Sequence, residues 1–108
     1  MRRAARVDEN QADLVAYLRK RGATVKSLAA VGQGFPDLAV GYKGINLLVE
    51  IKNPSQSNTV QKLKPQQVDV HENWQGKIDI VKTEADIDGI LSDIDFVVDL
   101  ADSLPVRD

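Results

Sequence analysis

The sequence has no cysteine, a single histidine and few aromatic residues, which make up 5% of its 108 positions. Without cysteine, neither a disulfide framework nor a zinc site built from thiolates can form, and we expect the protein to be located in the reducing cytoplasm. No apolar run is long enough to span a bilayer. The basic first residues are followed by Val-Asp-Glu-Asn rather than by an apolar segment, so we expect neither a secretory signal nor a membrane partner.

Net charge is also low, at −2, but it is distributed unevenly along the chain. Residues 1–82 contain 13 of the 14 Lys and Arg residues, whereas residues 83–108 contain one basic residue and 8 acidic ones. The basic part can attract phosphate groups, and the acidic part then has to lie away from that surface. We expect one domain over 1–108, with a core at about 8–82 and an acidic C-terminal extension at 83–108.

Two apolar stretches predict a β-hairpin. Residues 37–42 and 45–52 are rich in Val, Leu, Ile and Tyr. Between them, Lys43 and Gly44 predict a two-residue turn, in which glycine supplies a positive φ. Side chains alternate along a strand, so one face of the hairpin is apolar and should face the core. That face consists of Leu38, Val40, Ile45, Leu47, Val49 and Ile51.

The other face of the predicted hairpin brings two acids together. In this register Asp37 lies opposite Glu50, and Lys52 shares the face of Glu50. Like charges about 5 Å apart across a strand pair destabilise a sheet unless a cation or a proton lies between them. Glu50 also follows an apolar run directly, and a buried acid needs a partner. Alternatively, Asp37 only ends a loop, and Glu50 and Lys52 form an exposed pair on an edge strand.

These residues resemble a known family. Gly-Phe-Pro-Asp-Leu at residues 34–38 and Glu-Ile-Lys at residues 50–52 are similar to the core motif of the PD-(D/E)xK nucleases. The surrounding chain, over about residues 8–82, is closest to the small VRR-NUC and Holliday-junction-resolvase-like branches found in phages and prophages. The resemblance implies an α/β fold with a restriction-endonuclease-like αβββαβ core, a mixed central sheet flanked by helices, and an extra C-terminal helix.

The resemblance also implies an activity, that of a metal-dependent deoxyribonuclease. Asp37 and Glu50, with the backbone carbonyl of Ile51, would hold Mg²⁺, for which Mn²⁺ can substitute, and Lys52 and Gln67 would complete the catalytic set. The products would carry a 5′ phosphate and a 3′ hydroxyl. We expect a DNA endonuclease selective for junctions, flaps or nicks. The alternatives are a DNA-binding module of the same fold that does not cleave and an interaction protein with an acidic tail.

The first predicted helix, at residues 9–21, departs from the family pattern. Asp8 is suited to cap it. Related nucleases often supply a glutamate to the metal site from this helix, and Gln11 occupies that position here, with Glu9 two residues before it. Gln11 and Glu9 are therefore candidate accessory residues. Asn10 and Gln11 can equally be capping residues.

After the hairpin, the polar residues 53–59 predict an exposed loop. A second helix should begin near Pro65 and run to about Trp74. Gln67, His71 and Trp74 share one face of it. His71 is a candidate for contacting a phosphate or transferring a proton, because its pKa lies near neutrality. A lone histidine or tryptophan on a helix is more often a packing residue.

Three lysines are candidate contacts to DNA phosphates. Lys62 and Lys64 flank the start of the second helix, and Lys43 lies at the hairpin turn. A domain of this size holds one site, so cutting both strands of a DNA molecule needs a symmetric pair of subunits. We therefore expect a homodimer.

The remaining elements are two strands and a helix. We expect strands at residues 24–30 and 77–82, and a short helix capped by Thr83. Residues 96–100 form an apolar run that needs burial, either on its own domain or against a second subunit. The aspartates around it are expected to form a solvated face. The residues of this helix predicted to point inward are Ile87, Ile90 and Leu91.

Overall fold

The computed structural model describes residues 10–53 and 63–104. Its elements, in chain order, are α1 (Gln11–Lys20), β1 (Thr24–Ser27), β2 (Leu38–Tyr42), β3 (Ile45–Ile51), α2 (Pro65–Asn73), β4 (Ile78–Val81) and α3 (Glu84–Ser103). The four strands form one sheet in the order β1-β2-β3-β4. The first three strands are antiparallel, and β4 is parallel to β3. The predicted order of elements and the mixed sheet are confirmed.

The hairpin forms in the predicted register because its turn has the required backbone. Lys43 and Gly44 have φ values of 51° and 83°. Positive φ at both positions gives the turn whose twist matches that of the flanking strands. Leu38 pairs with Val49, and the register continues to the turn. It brings each apolar residue of β2 opposite one of β3.

The core lies on one face of the sheet, between the sheet and the helices α1 and α3. The predicted apolar face of the hairpin is buried, except that Ile45 is half-buried. Leu14 and Leu18 of α1 and Ile87, Leu91 and Ile94 of α3 complete this core. We call it the inner face of the sheet, and the face that carries Glu50 the outer face.

The last helix is longer than predicted. Thr83 caps it, since its hydroxyl accepts a hydrogen bond from the Asp86 backbone N–H at 3.2 Å. The helix then continues for 20 residues. A helix of that length measures about 30 Å. Phe96 and Leu100 are 68% and 51% exposed, so the run is not buried by its own domain at these two positions.

Two aspartates fasten α3 to the rest of the domain. Asp88 accepts a hydrogen bond from the Tyr17 hydroxyl at 2.6 Å and also binds Arg21. Asp95 accepts a hydrogen bond from the Tyr42 hydroxyl at 2.8 Å. Asp88 is exposed, as the prediction of a solvated acidic face has it, whereas Asp95 is half-buried, and both bind residues of other elements. The residues that make these contacts lie far apart in sequence, so no local sequence pattern predicts them.

Asp95 gives the fold a pH dependence. Its contact with Lys43, and after that with the Tyr42 hydroxyl, lowers the pKa of Asp95 below the ordinary value of 3.8. The folded state thus favours the charged form, so the stabilisation is present above about pH 4 and is lost as the pH falls through the lowered pKa. We expect Asp95→Asn to melt below the wild type at pH 7, and the two melting temperatures to converge in acid. Asp93→Asn, at an exposed position of the same helix, should keep the wild-type profile; a pH-independent deficit in Asp95→Asn would contradict this account.

Some predicted boundaries are wrong or lie outside the described residues. β1 ends at Ser27 instead of residue 30, because the Ser27 hydroxyl accepts a hydrogen bond from the Ala29 backbone N–H at 3.2 Å and the chain turns. α1 has Asn10 as its N-cap residue. The predicted cap Asp8, the candidate Glu9, Lys62 and the predicted loop 53–59 beyond residue 53 lie outside the described residues. Within residues 10–53 and 63–104, no helix is long and apolar enough to cross a membrane.

Candidate active site

The centre of the site is Glu50, a buried acid on the outer face of β3. It follows the apolar stretch of the strand and is only 3% exposed. Its Oε2 accepts a hydrogen bond from the Gln67 side-chain amide at 2.9 Å and lies 3.6 Å from the Lys52 ammonium. Burial of a carboxylate costs free energy unless charge and hydrogen bonds compensate it, and both partners supply this compensation. The alternative of an exposed Glu50–Lys52 pair on an edge strand is therefore wrong: β3 is an inner strand, and the Lys52 side chain is only 14% exposed.

Asp37 immediately precedes β2, beside the end of β3. Its Oδ2 accepts a hydrogen bond from the Ile51 backbone N–H at 2.7 Å. The hairpin register begins at the pair of Leu38 and Val49, and its extension by one pair would place Asp37 opposite Glu50 with both carboxylates on the outer face. A strand residue directs its N–H and its C=O to the same side, so the carbonyl of Ile51 also points towards β2.

Gln67 is oriented from both ends of its amide. The oxygen accepts a hydrogen bond from the Lys64 backbone N–H at 2.9 Å, and the nitrogen donates to Glu50. Pro65 is the first residue of α2, as predicted, and its fixed φ suits a helix start. The first turn of α2 thus presents Gln67 to the outer face of the sheet.

A close backbone approach holds α2 against the loop before β2. Gly34 has a φ of 79°, and a Cβ at this position would lie 2.5 Å from the carbonyl carbon of Gln66. Only glycine fits between the two backbones. One residue further on, the rings of Phe35 and Trp74 pack edge to face, with centroids 5.3 Å apart. The loop that leads into Asp37 is therefore packed on the helix that carries Gln67.

His71 lies one turn after Gln67 and is half-buried. Burial, followed by the positive charge of Lys52, lowers the pKa of His71 below 6.5. Its imidazole is therefore neutral at pH 7. The Nε2 atom is buried and has no hydrogen-bond partner within the described part of the chain. Trp74 is 46% exposed, so it is not the core residue that a lone tryptophan usually is.

Asn10 is a positioning residue that the sequence did not reveal. Its side-chain amide donates hydrogen bonds to the carbonyl oxygens of Lys52 at 3.1 Å and Lys82 at 3.2 Å. It joins the start of α1 to the ends of β3 and β4, and so holds the backbone of Lys52 in place. Because it binds backbone carbonyls 42 and 72 residues away, the sequence contains no signal for this role. Gln11 follows it, half-buried in the first turn of α1.

The predicted DNA contacts are dispersed. Lys64 is exposed at the start of α2. Lys43 lies at the hairpin turn, at the opposite end of β3 from Glu50, and its ammonium is 2.6 Å from Asp95. Among the described residues, no group of three or more His, Cys, Asp or Glu side chains is placed to hold a metal ion. The carboxylates that the described contacts join to β3 at this site are Asp37 and Glu50.

Comparison with solved structures finds a similar protein described as a VRR_NUC domain. The two chains align with a TM-score of 0.59 and 24% sequence identity, over 77% of this chain and 95% of the other. No protein-family model matches the sequence, and no curated protein does. The predicted resemblance is thereby confirmed at the level of the fold: the chain has a restriction-endonuclease-like α/β fold similar to that of a VRR_NUC domain.

Proposed function

We propose that the protein is a magnesium-dependent DNA endonuclease. The observation that carries this proposal is the buried Glu50, which lies 3.6 Å from the Lys52 ammonium, while Asp37 binds the backbone N–H of the next residue, Ile51. An arrangement of two acids and a lysine, each held by neighbouring elements, is suited to binding a cation and a phosphate together. The likeness to a VRR_NUC domain supports the same function.

The donor atoms at the site fit a hard divalent cation. Asp37 and Glu50 offer carboxylate oxygens, and the Ile51 carbonyl points to the same side as the N–H that binds Asp37. Mg²⁺ prefers such oxygen ligands, and Mn²⁺ accepts them as well. When bound, the ion would lower the pKa of a coordinated water and offset negative charge on the phosphate.

The chain's own side chains have distinct roles in this proposal. The Lys52 ammonium offsets the charge that builds up on the phosphate oxygens during hydrolysis. Gln67 fixes the orientation of Glu50 through its 2.9 Å hydrogen bond. Asn10 holds the backbone at Lys52, and His71, neutral at pH 7, can accept a proton or a hydrogen bond beside Gln67.

We further propose a structure-selective substrate and a symmetric pair of subunits. Lys62 and Lys64 are the proposed phosphate contacts, whereas Lys43, paired with Asp95 at the opposite end of β3 from Glu50, is proposed only as a contact away from the site. The basic body of the chain supports DNA as the partner. One site cleaves one strand, so cutting two opposed strands of a junction, or both strands of a duplex, requires a symmetric pair of subunits.

Cleavage assays with labelled linear duplex, flap and four-way junction DNA test this function. We expect cleavage in Mg²⁺ or Mn²⁺ and none in EDTA, with branched DNA cut faster than linear duplex. Failure to cut any of these molecules in either metal would overturn the proposal.

A DNA-binding module that does not cleave is the second candidate. It is favoured by Gln11, which stands where related nucleases have an acid, and by the two-carboxylate set of the described site. Retained DNA binding without cleavage in Mg²⁺ or Mn²⁺ would support this function over the first. An interaction protein with an acidic tail is less well supported, because Asp88 and Asp95 bind residues of the same chain.

A further inference from the structure

An open groove of about 480 Å³ lies on the outer face of the sheet. Its floor is formed by small and apolar residues of β2 and β3, and Trp74 lines it beside them. The volume is within the range of about 300–1,000 Å³ that is typical of small-molecule sites. The small and apolar side chains of the floor include those of Ala39 and Leu48, and Gly41 lies between them in sequence.

Trp74 presents a rigid aromatic surface in this groove. It is the only tryptophan of the chain and remains 46% exposed. Phe35 packs against its ring, and a Cβ at Gly76 would lie 2.8 Å from its Nε1. The indole is thus held from two sides while almost half of it stays accessible. An exposed aromatic ring offers a stacking surface for nucleic-acid bases.

The groove is adjacent to the candidate active site. Leu48 precedes Glu50 by two residues on β3 and points to the same face, so their Cα atoms are about 7 Å apart. Lys26 and Lys77 lie at the groove and can attract a phosphate backbone, although Lys77 also pairs with Asp79 at 3.1 Å. A nucleotide next to a phosphate bound at Glu50 can therefore reach Trp74.

We propose that this groove binds the base of an unpaired nucleotide next to the phosphate that is cleaved, with Trp74 as the stacking surface. The proposal rests on the nuclease function given above and deepens it by naming the substrate class, DNA with a single-stranded segment at the cut. A base inside a duplex is stacked on its neighbours and has no free face for Trp74. An unpaired base has one.

Binding measurements in EDTA test the groove apart from catalysis. A single-stranded thymidine oligonucleotide is expected to quench the fluorescence of Trp74, and a blunt duplex of equal length is expected to quench it less. With a labelled oligonucleotide, Trp74→Ala should weaken single-strand binding by about 5- to 150-fold. Trp74→Phe should keep part of the affinity, because it retains an aromatic ring.

Phe96→Ala provides the matched control. Phe96 is an aromatic residue that is 68% exposed on α3 and does not line the groove, so its replacement should leave single-strand affinity unchanged. Circular dichroism shows whether each variant is folded. The groove proposal would be overturned if folded Trp74→Ala bound single strands as tightly as the wild type. It would also be overturned if a single strand bound to the wild type without quenching the fluorescence of Trp74.

Cleavage in Mg²⁺ separates this proposal from the nuclease function. We expect Trp74→Ala to cut both a flap and a nicked duplex more slowly than the wild type does. The loss of rate should be larger for the flap, because only the flap has an unpaired base at the cut. A wild type that cleaves DNA without any effect of Trp74→Ala overturns the groove and leaves the nuclease intact. A wild type that binds single strands through Trp74 but cuts nothing overturns the nuclease and supports the groove as a base-binding site.

Discussion

Replacement of Glu50 with glutamine is expected to slow DNA cleavage by at least about 10²–10³-fold, as the loss of a preorganised charged group in an active site does. The glutamine oxygen can still accept the hydrogen bond from Gln67, so the fold should be retained. The negative charge, however, is lost, so the affinity of the site for a divalent cation should fall. Single-turnover cleavage of a flap substrate measures the rate.

Melting temperature supplies a second readout that does not depend on activity. A ligand that binds only the folded state raises its stability, so Mg²⁺ should raise the melting temperature of the wild type. Glu50→Gln should lose this shift and melt within about 8 °C of the wild type in EDTA. Glu72→Gln, at an exposed position of α2, is the matched control and should behave as the wild type. An undiminished Mg²⁺ shift in Glu50→Gln would exclude Glu50 as a metal ligand.

Gly34→Ala is expected to damage both stability and activity. The added Cβ would lie 2.5 Å from the backbone of Gln66, and φ at this position is 79°. Overpacking and the left-handed backbone together should cost about 2–4 kcal/mol of unfolding free energy. Because the loop would have to move away from α2, Asp37 and Gln67 would separate and cleavage should fall.

Gly32→Ala separates these two costs. Gly32 also has a positive φ, of 67°, but a Cβ there would meet nothing within 4 Å. It should therefore lose only the backbone contribution, about 1–2 kcal/mol. Thermal unfolding of the two variants side by side measures the difference. Equal melting temperatures would show that the approach of Gly34 to Gln66 does not constrain the site.

The hairpin could be predicted because its information is local. Alternation of apolar residues and a Lys-Gly turn determine which side chains share a face, and a register follows from the turn alone. The placement of Asp37 and Glu50 on one face follows from that register. The burial of Glu50 at 3% exposure also agrees with its place after an apolar run.

The contacts that orient the site could not be predicted. Asn10 binds the Lys52 carbonyl from the start of α1, and Gly34 abuts Gln66. Lys43, which was expected to contact DNA, is paired with Asp95 of α3. The length of α3 was also underestimated from the sequence. Each of these contacts joins segments far apart in sequence, so it depends on how the helices pack on the sheet.

By itself, the sequence determined the order of the helices and strands, the hairpin register and the pairing of Glu50 with Lys52, since each depends on residue type and on spacings of two to four positions. Only the tertiary structure decided which groups surround Glu50, which lysine is engaged by an aspartate, and that Trp74 stays exposed beside an open groove. Packing of distant segments sets burial, and burial sets both the electrostatics of the acids and the accessibility of the aromatic ring.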